Sequence, residues 1–139
     1  MGDDFLYDIP GEHVAYATIE SVAAGDATED QVIFVAPIGC VVTGVSITPD
    51  AAATGNTTNT KHLNVDNKGA DGTGTTEIAQ LDLVTGTDLV EADESALVVS
   101  GTLAQRTLVK GDVLMMEIEQ IGSGIAIARS LIKTTFNST

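Results

Sequence analysis

The segment from Gln31 to Asp50, QVIFVAPIGCVVTGVSITPD, constrains the fold of this chain more than any other. It is a nearly unbroken run of β-branched and small residues, interrupted at Pro37 and Gly39. Val, Ile and Thr lose χ1 freedom in a helix and suit the pleated surface of a sheet. The segment therefore predicts two strands that meet at a corner at Ala36–Pro37.

Similar strand patterns recur along the whole chain, separated by turns rich in Gly, Asn and Asp. Their spacing predicts eight short strands, over residues 13–20, 31–36, 38–48, 61–67, 76–83, 96–100, 112–121 and 130–136. Many short strands with turn residues between them are typical of an all-β fold. We predict an antiparallel β-sandwich, an eight-stranded jelly roll, in one domain over residues 13–139. A helical turn is most compatible with residues 85–94.

Alternation within the strands predicts which side chains face the core. Leu63 and Val65 are expected inward, with His62, Asn64 and Asp66 outward. In the seventh strand the inward set is Leu114, Met116 and Ile118, with Glu117 and Glu119 on the other face. In the third strand the residues that share one face are Val41, Thr43, Val45 and Ile47.

The charge of the chain limits its partners. The formal net charge is −14, and residues 1–60 contain no Lys or Arg. Phosphate binding depends on Lys and Arg side chains, so we expect neither nucleic acid nor an anionic membrane as a partner. No apolar run approaches the roughly 20 residues that a membrane span needs, and no signal peptide is expected. Cys40 is the single cysteine, so an internal disulfide is impossible.

Two arrangements of side chains raise the question of catalysis. His62 has Asp66 four residues away on the predicted outward face, but no nucleophile motif accompanies them. Glu117 and Glu119 share a strand face, as paired carboxylates of a glycosidase could. Carboxylates at that spacing more often solvate an exposed strand, and the chain has no Trp to line a sugar cleft. We predict no catalytic residues and no enzyme activity.

Asn64, Asp66, Asn67 and Asp71 lie close together around the end of one predicted strand. Ca²⁺ needs six to eight oxygen ligands, and Lys68 stands where an EF-hand loop would place a ligand. A Gly- and Asx-rich loop after a strand is usually turn chemistry. We therefore predict no metal site and no cofactor.

Residues 1–12, MGDDFLYDIPGE, are predicted to form an extended N-terminal arm. The arm carries large side chains among acids, and it is followed by the first strand. Exposed aromatic and aliphatic anchors are a common means of gripping a partner. The other interpretation is that the arm folds back onto its own sandwich as an edge strand. The candidate contact residues for a partner protein or a neighbouring subunit are Phe5, Leu6, Tyr7, Ile9 and Pro10.

Four segments of the chain resemble tailed-bacteriophage head decoration (capsid cement) proteins. They are FVAP at residues 34–37, CVVTGVS at 40–46, NKGADGTG at 67–74 and VKGDVL at 109–114. The resemblance covers roughly residues 13–136 and concerns turns and strand starts rather than catalytic groups.

The resemblance implies a structural virion protein on the outer face of the capsid. Such a protein bridges major capsid protein subunits non-covalently, commonly as a homotrimer. The alternative function is a carbohydrate- or receptor-binding β-sandwich of a phage head or tail fibre. For that alternative, the loops at residues 49–59 and 68–75 are the expected binding region.

Overall fold

The computed structural model describes residues 9–139. Their strands are β1 (Glu12–Ile19), β2 (Glu29–Val35), β3 (Cys40–Pro49), β4 (Thr60–Asn67), β5 (Thr76–Asp82), β6 (Ser95–Ala96), β7 (Val98–Val99), β8 (Thr107–Leu108), β9 (Val113–Ile121) and β10 (Ser130–Ser138). A single helical turn, α1, spans Leu103–Arg106. It follows β7 and does not fall within residues 85–94, where the sequence was compatible with one.

The strands form two antiparallel sheets that pack as a sandwich. Sheet 1 has the order β1-β10-β3-β6, with β8 pairing another part of β3, and sheet 2 has the order β2-β9-β4-β5-β7. Successive strands such as β1 and β2, β3 and β4, or β9 and β10 lie in different sheets. The eight strands β1–β6, β9 and β10 follow the order of a jelly roll, and the short β7 and β8 are additions to it. The predicted fold class is confirmed.

The predicted sixth strand, residues 96–100, is divided between the two sheets. Ala96 pairs with Ser46 of sheet 1, whereas Val98 pairs with Gln80 of sheet 2. Leu97 lies between them and is buried. A peptide that crosses from one sheet to the other cannot continue one ladder, so the segment forms two strands of two residues each.

A β-bulge in β3 overturns the predicted inward face of that strand. The register with β10 shifts at Thr135/Phe136, so that Thr43 is an extra residue in β3. A bulge reverses the alternation beyond it. Val42 as well as Val45 and Ile47 are therefore buried in the core, whereas Val41 and Thr43 lie on the outer side. The alternation in β4 and β9 is as predicted, with Leu63, Val65, Leu114, Met116 and Ile118 buried.

The core lies between the sheets and is mostly aliphatic. Its aromatic pair is Phe34 of β2 and Phe136 of β10, whose ring centroids are 5.1 Å apart and tilted by 56°. His13 of β1 packs against Phe136 at 5.5 Å. Such tilted contacts join the two sheets at one end of the sandwich. Among residues 9–139, no helix has the length and apolar character needed to traverse a membrane.

Candidate functional site

The outer side of sheet 1, here called the sheet 1 face, carries exposed apolar side chains. Ala15, Ala17 and Ile19 of β1 point toward the core, so period-2 alternation places Val14 and Tyr16 outward. Tyr16 is 63% exposed, Val14 is 44% exposed, and Leu131 of the adjacent β10 is 43% exposed. Isolated exposed apolar residues are ordinary. A cluster on neighbouring strands suits contact with another protein surface.

Most of the remaining sheet 1 face is weakly charged. Lys133 Nζ lies 2.9 Å from Glu94 Oε2 on this face, and Arg129 Nη1 lies 3.3 Å from Asp50 Oδ2 at its margin. The hydrogen bond from Lys133 to Glu94 raises the pKa of the lysine. Glu12, at the start of β1, accepts a hydrogen bond of 2.9 Å from the Thr43 hydroxyl. The face is consequently apolar and hydroxyl-rich, with little net charge.

A shallow notch of about 180 Å³ lies on the same face. Gly44, Ser46, Ala96 and Thr135 line it, and Lys133 stands at its edge. Ser46 is only 5% exposed, and no hydrogen-bond partner for its Oγ is found in the described part of the chain. A buried hydroxyl without a partner costs free energy.

The outer side of sheet 2, here called the sheet 2 face, also exposes apolar side chains, at Val32, Val35 and Val98, but it differs from the sheet 1 face in charge. Cross-strand register brings together the outward carboxylates of four strands, namely Asp30, Asp66, Glu77, Asp82, Glu117 and Glu119. Burial and then the neighbouring carboxylates raise the pKa of Glu77. Like charges at this spacing repel one another and any anionic partner. The two faces of the sandwich therefore differ sharply in charge.

His62 lies within this acidic surface and contacts carboxylates of the two neighbouring strands. Its Nδ1 is 3.4 Å from Asp82 Oδ1 and 3.7 Å from Glu119 Oε2. Asp66 instead contacts Lys68 Nζ at 3.4 Å. The partners of His62 come from β5 and β9, which sequence spacing within β4 does not reveal. His62 and Asp66 share the outward face of β4, as predicted, but each contacts other side chains.

Glu117 and Glu119 are bridged by one amide. Asn64 Nδ2 donates to Glu117 Oε1 and to Glu119 Oε2, each at 3.2 Å. The carboxylates lie side by side along a sheet surface rather than across a cleft, so no sugar ring can be held between them as a glycosidase requires. The bridge by Asn64 reduces the repulsion between the two carboxylates within the sheet.

Side chains of the polar loop after β4 form hydrogen bonds that stabilise turns within the loop. Asp71 Oδ1 accepts hydrogen bonds from the backbone N–H and the hydroxyl of Thr73, at 3.0 and 2.9 Å. These two bonds lower the pKa of Asp71. Asn67 accepts from the Gly69 N–H and donates to Asp112. No group of three or more His, Cys, Asp or Glu arranged to hold a metal is found within residues 9–139.

A groove of about 450 Å³ borders β5. Residues 75–80, residues 98–101 and Gln105 line it, and its side chains are mostly polar. The groove begins where the loop at residues 68–75 ends, one of the two loops expected for a ligand-binding module. The other loop, residues 49–59, packs against the loop after β5, where the Gly55 N–H donates to Asp88 and Ala53 pairs with Leu89.

Ile9 and Pro10 are the two arm candidates that fall among the described residues. Both are exposed, Ile9 by 59%. The Ile9 carbonyl accepts a hydrogen bond of 2.9 Å from His13 Nε2. Phe5, Leu6 and Tyr7 lie outside the described residues, so their contact role stays a prediction.

Sequence reasoning missed the burial of Lys61. Its side chain is fully buried, and its Nζ donates to the Asp26 carbonyl at 2.7 Å. Burial lowers the pKa of Lys61, and the nearby Asp26 and Glu29 partly oppose this. Alternation along β4 places Lys61 on the inward side with Leu63 and Val65, so its burial could have been predicted from the sequence pattern.

Comparison with solved structures supports the fold. A chain of the cyanophage Pam1 capsid asymmetric unit is similar over 94% of this chain and 86% of its own length, with a TM-score of 0.56 and 19% identity. A chain of infectious bursal disease virus, Gx strain, is similar over 91% of this chain and 32% of its own, with a TM-score of 0.45 and 14% identity. No protein-family model and no curated protein matches the sequence. At these identities, the first likeness shows a shared fold.

Proposed function

We propose that this chain is a structural virion protein that decorates the outer surface of a tailed-phage capsid. It stabilises the shell by non-covalent bridging of major capsid subunits, and it acts as a homotrimer. The observation that carries the proposal is the jelly-roll fold shared, over nearly the whole chain, with a component of a cyanophage capsid asymmetric unit. The four segments that resemble decoration proteins point to the same role.

The contrast between the two faces suggests how the protein would be oriented on the shell. In the proposal, the sheet 1 face with Tyr16, Val14 and Leu131 contacts the capsid, and the acidic sheet 2 face points to solvent. Apolar surface supplies the free energy of association at about 25 cal/mol per Å². Outward carboxylates would keep particles apart by charge repulsion.

The size of the sheet 1 face supports an oligomer. Eight residues of β1 extend about 27 Å, and three long strands are about 14 Å wide, so the face offers on the order of 400 Å². A stable interface buries about 800 Å² on each partner. One copy therefore offers a modest contact, and linking three copies would strengthen binding through effective concentration.

The test is binding of the purified protein to undecorated, expanded phage heads, measured by cosedimentation and by the melting temperature of the heads. Tyr16→Glu should weaken binding at least about tenfold, because a carboxylate would be desolvated at the contact. Val98→Glu is the matched control, since Val98 is an equally exposed apolar residue of β7 in the other sheet. Absence of wild-type binding contradicts the decoration role, and equal weakening by both variants contradicts the assignment of the face.

The second candidate function is a carbohydrate- or receptor-binding module. The polar groove beside β5 favours it, because Thr76, Gln80 and Ser100 offer hydroxyl and amide groups to a sugar. A glycan array with the wild-type protein tests this function. Gln80→Ala should abolish any signal that arises from the groove, whereas Gln31→Ala on β2 should leave it unchanged.

A further inference from the structure

The sheet edges of this sandwich are protected to different extents. Exposed edges pair with strands of other chains unless they are short, bulged or charged. The edge strands β6, β7 and β8 have two residues each. The edge strand β2 is interrupted by a bulge at Val32/Phe34 and begins with Glu29 and Asp30.

The strand β1 lacks these protections. It has eight residues, and its register with β10 runs from Glu12↔Asn137 to Ile19↔Ser130 without a shift. It contains no Lys, Pro or Gly, and Glu12 at its first position is its one acid. Within residues 9–139, no strand pairs with the side of β1 that faces away from β10. A long regular edge of this kind is a template for one more strand.

The N-terminal arm has the pattern of such a strand. Phe5, Tyr7 and Ile9 alternate with Leu6 and Asp8, and aromatic and β-branched residues favour a pleated conformation. The arm also carries Asp3, Asp4 and Asp8. Those charges are repelled by the sheet 2 face, whereas the β1 edge adjoins the weakly charged sheet 1 face. Charge therefore directs the arm to β1 among the edges of the sandwich.

The connection between the arm and β1 disfavours pairing within one chain. A tight hairpin uses a type I′ or II′ turn, and both need a positive φ at the first central residue. Pro10 would occupy that position before Gly11, and proline holds φ near −65°. Residues 9–11 form bends, and the Ile9 carbonyl is bonded to the His13 ring. Residues 9–11 therefore do not pair with their own β1.

We propose that residues 1–9 of one copy add as an extra strand to the β1 edge of a neighbouring copy. Backbone hydrogen bonds along β1 provide the attachment, and the alternating Phe5, Tyr7 and Ile9 pack beside Val14 and Tyr16. Each copy passes its arm to the next copy, and the subunits together form a closed ring. This proposal specifies how the subunits of the proposed homotrimer are joined, and it rests on that part of the proposed function.

Cross-linking between distinguishable copies tests the exchange. A Tyr7→Cys copy is mixed with an isotopically labelled Tyr16→Cys copy and treated with a short bis-maleimide, and the products are weighed by mass spectrometry. The buried Cys40 does not compete. The control is a mixture of the Tyr7→Cys copy with a Gln80→Cys copy, whose cysteine lies on sheet 2. Because an exchanged arm is held at about millimolar effective concentration, the yield of Tyr7–Tyr16 cross-linked product should be at least about tenfold higher than the yield of cross-linked product in the control.

Two further measurements separate the possible failures. In the intact oligomer, a chain that carries both Tyr7→Cys and Tyr16→Cys should be linked to its neighbour and not to itself, and removal of residues 1–8 should convert the oligomer to monomer. An intramolecular link, or an oligomer unchanged by the deletion, overturns the exchange. Binding of the wild-type protein to expanded heads is measured separately. The two proposals are therefore tested independently: a negative cross-linking result leaves the decoration role intact, and an absence of head binding leaves the arm exchange intact.

Discussion

Cys40 makes the stability of this protein sensitive to alkaline pH. The thiol is fully buried at the start of β3, and burial, together with the charge of Asp112, raises its pKa from 9.0 to about 11. Between these values the unfolded chain loses the thiol proton while the folded chain keeps it. Folded molecules then bind more protons than unfolded ones, so the free energy of unfolding falls as pH rises. At about 1.36 kcal/mol per unit, the loss amounts to about 3 kcal/mol.

Substitution Cys40→Ala isolates this contribution. The variant loses some packing at every pH, at a cost of about 1 kcal/mol, but it has no thiol to titrate. Urea denaturation followed by circular dichroism gives the free energy of unfolding of both proteins between about pH 8 and pH 11.5. At about pH 8 the wild type should have a higher free energy of unfolding than Cys40→Ala, and this difference should disappear as pH rises. Titration of lysine and tyrosine side chains affects both proteins alike.

A constant difference in unfolding free energy across that pH range would refute the reasoning, because it would mean that the folded and unfolded thiols titrate together. A second variant checks the cause. Asp112→Asn removes the charge but leaves Cys40 buried, so the alkaline loss should shrink without disappearing. Disappearance of the loss in that variant would show that the carboxylate, rather than burial, dominates.

Other substitutions follow from the packing, and equilibrium denaturation at neutral pH measures each. Lys61→Met keeps the volume and removes a desolvated charge, so unfolding free energy should change by less than about 1 kcal/mol, whereas Lys61→Ala should lose about 2–4 kcal/mol; equal losses would contradict this. Phe136→Ala should lose about 3–5 kcal/mol, and the exposed Tyr16→Ala should stay within about 0.5 kcal/mol. Gly55→Ala places a Cβ 2.1 Å from the Val84 carbonyl oxygen and should lose more than about 2 kcal/mol, whereas Gly25→Ala has open space and serves as its control.

The fold was largely predictable from the sequence because most ladders are regular. In β9 the alternation of apolar and acidic residues runs without a shift against β4, so the inward set Leu114, Met116 and Ile118 follows directly from the pattern. Alternation fails at bulges, where the partner strand decides which residue is extra. Thr43 in β3 and Ile33 in β2 are such residues, and nothing in their local sequence marks them.

The candidate site was less predictable, since both faces are assembled from strands distant in sequence. The partners of His62, which are Asp82 and Glu119, lie on two other strands. The contrast between the acidic sheet 2 face and the apolar sheet 1 face likewise depends on strand order. The negative charge was evident from composition, but the meeting of six carboxylates on the sheet 2 face follows only from the strand order.

The position of β10 has a consequence for how the protein is made. The last nine-residue strand of the chain lies at the middle of sheet 1, and it is the partner of β1, the first strand. On the ribosome, the earliest strand emerges long before the residues that complete its ladder. Sheet 1 can therefore form only after β10 has been synthesised, and folding that waits for distant pairing is slow and exposed to aggregation. A nascent chain that has not yet reached Ser130 has β1 and β3 without the strand that joins them.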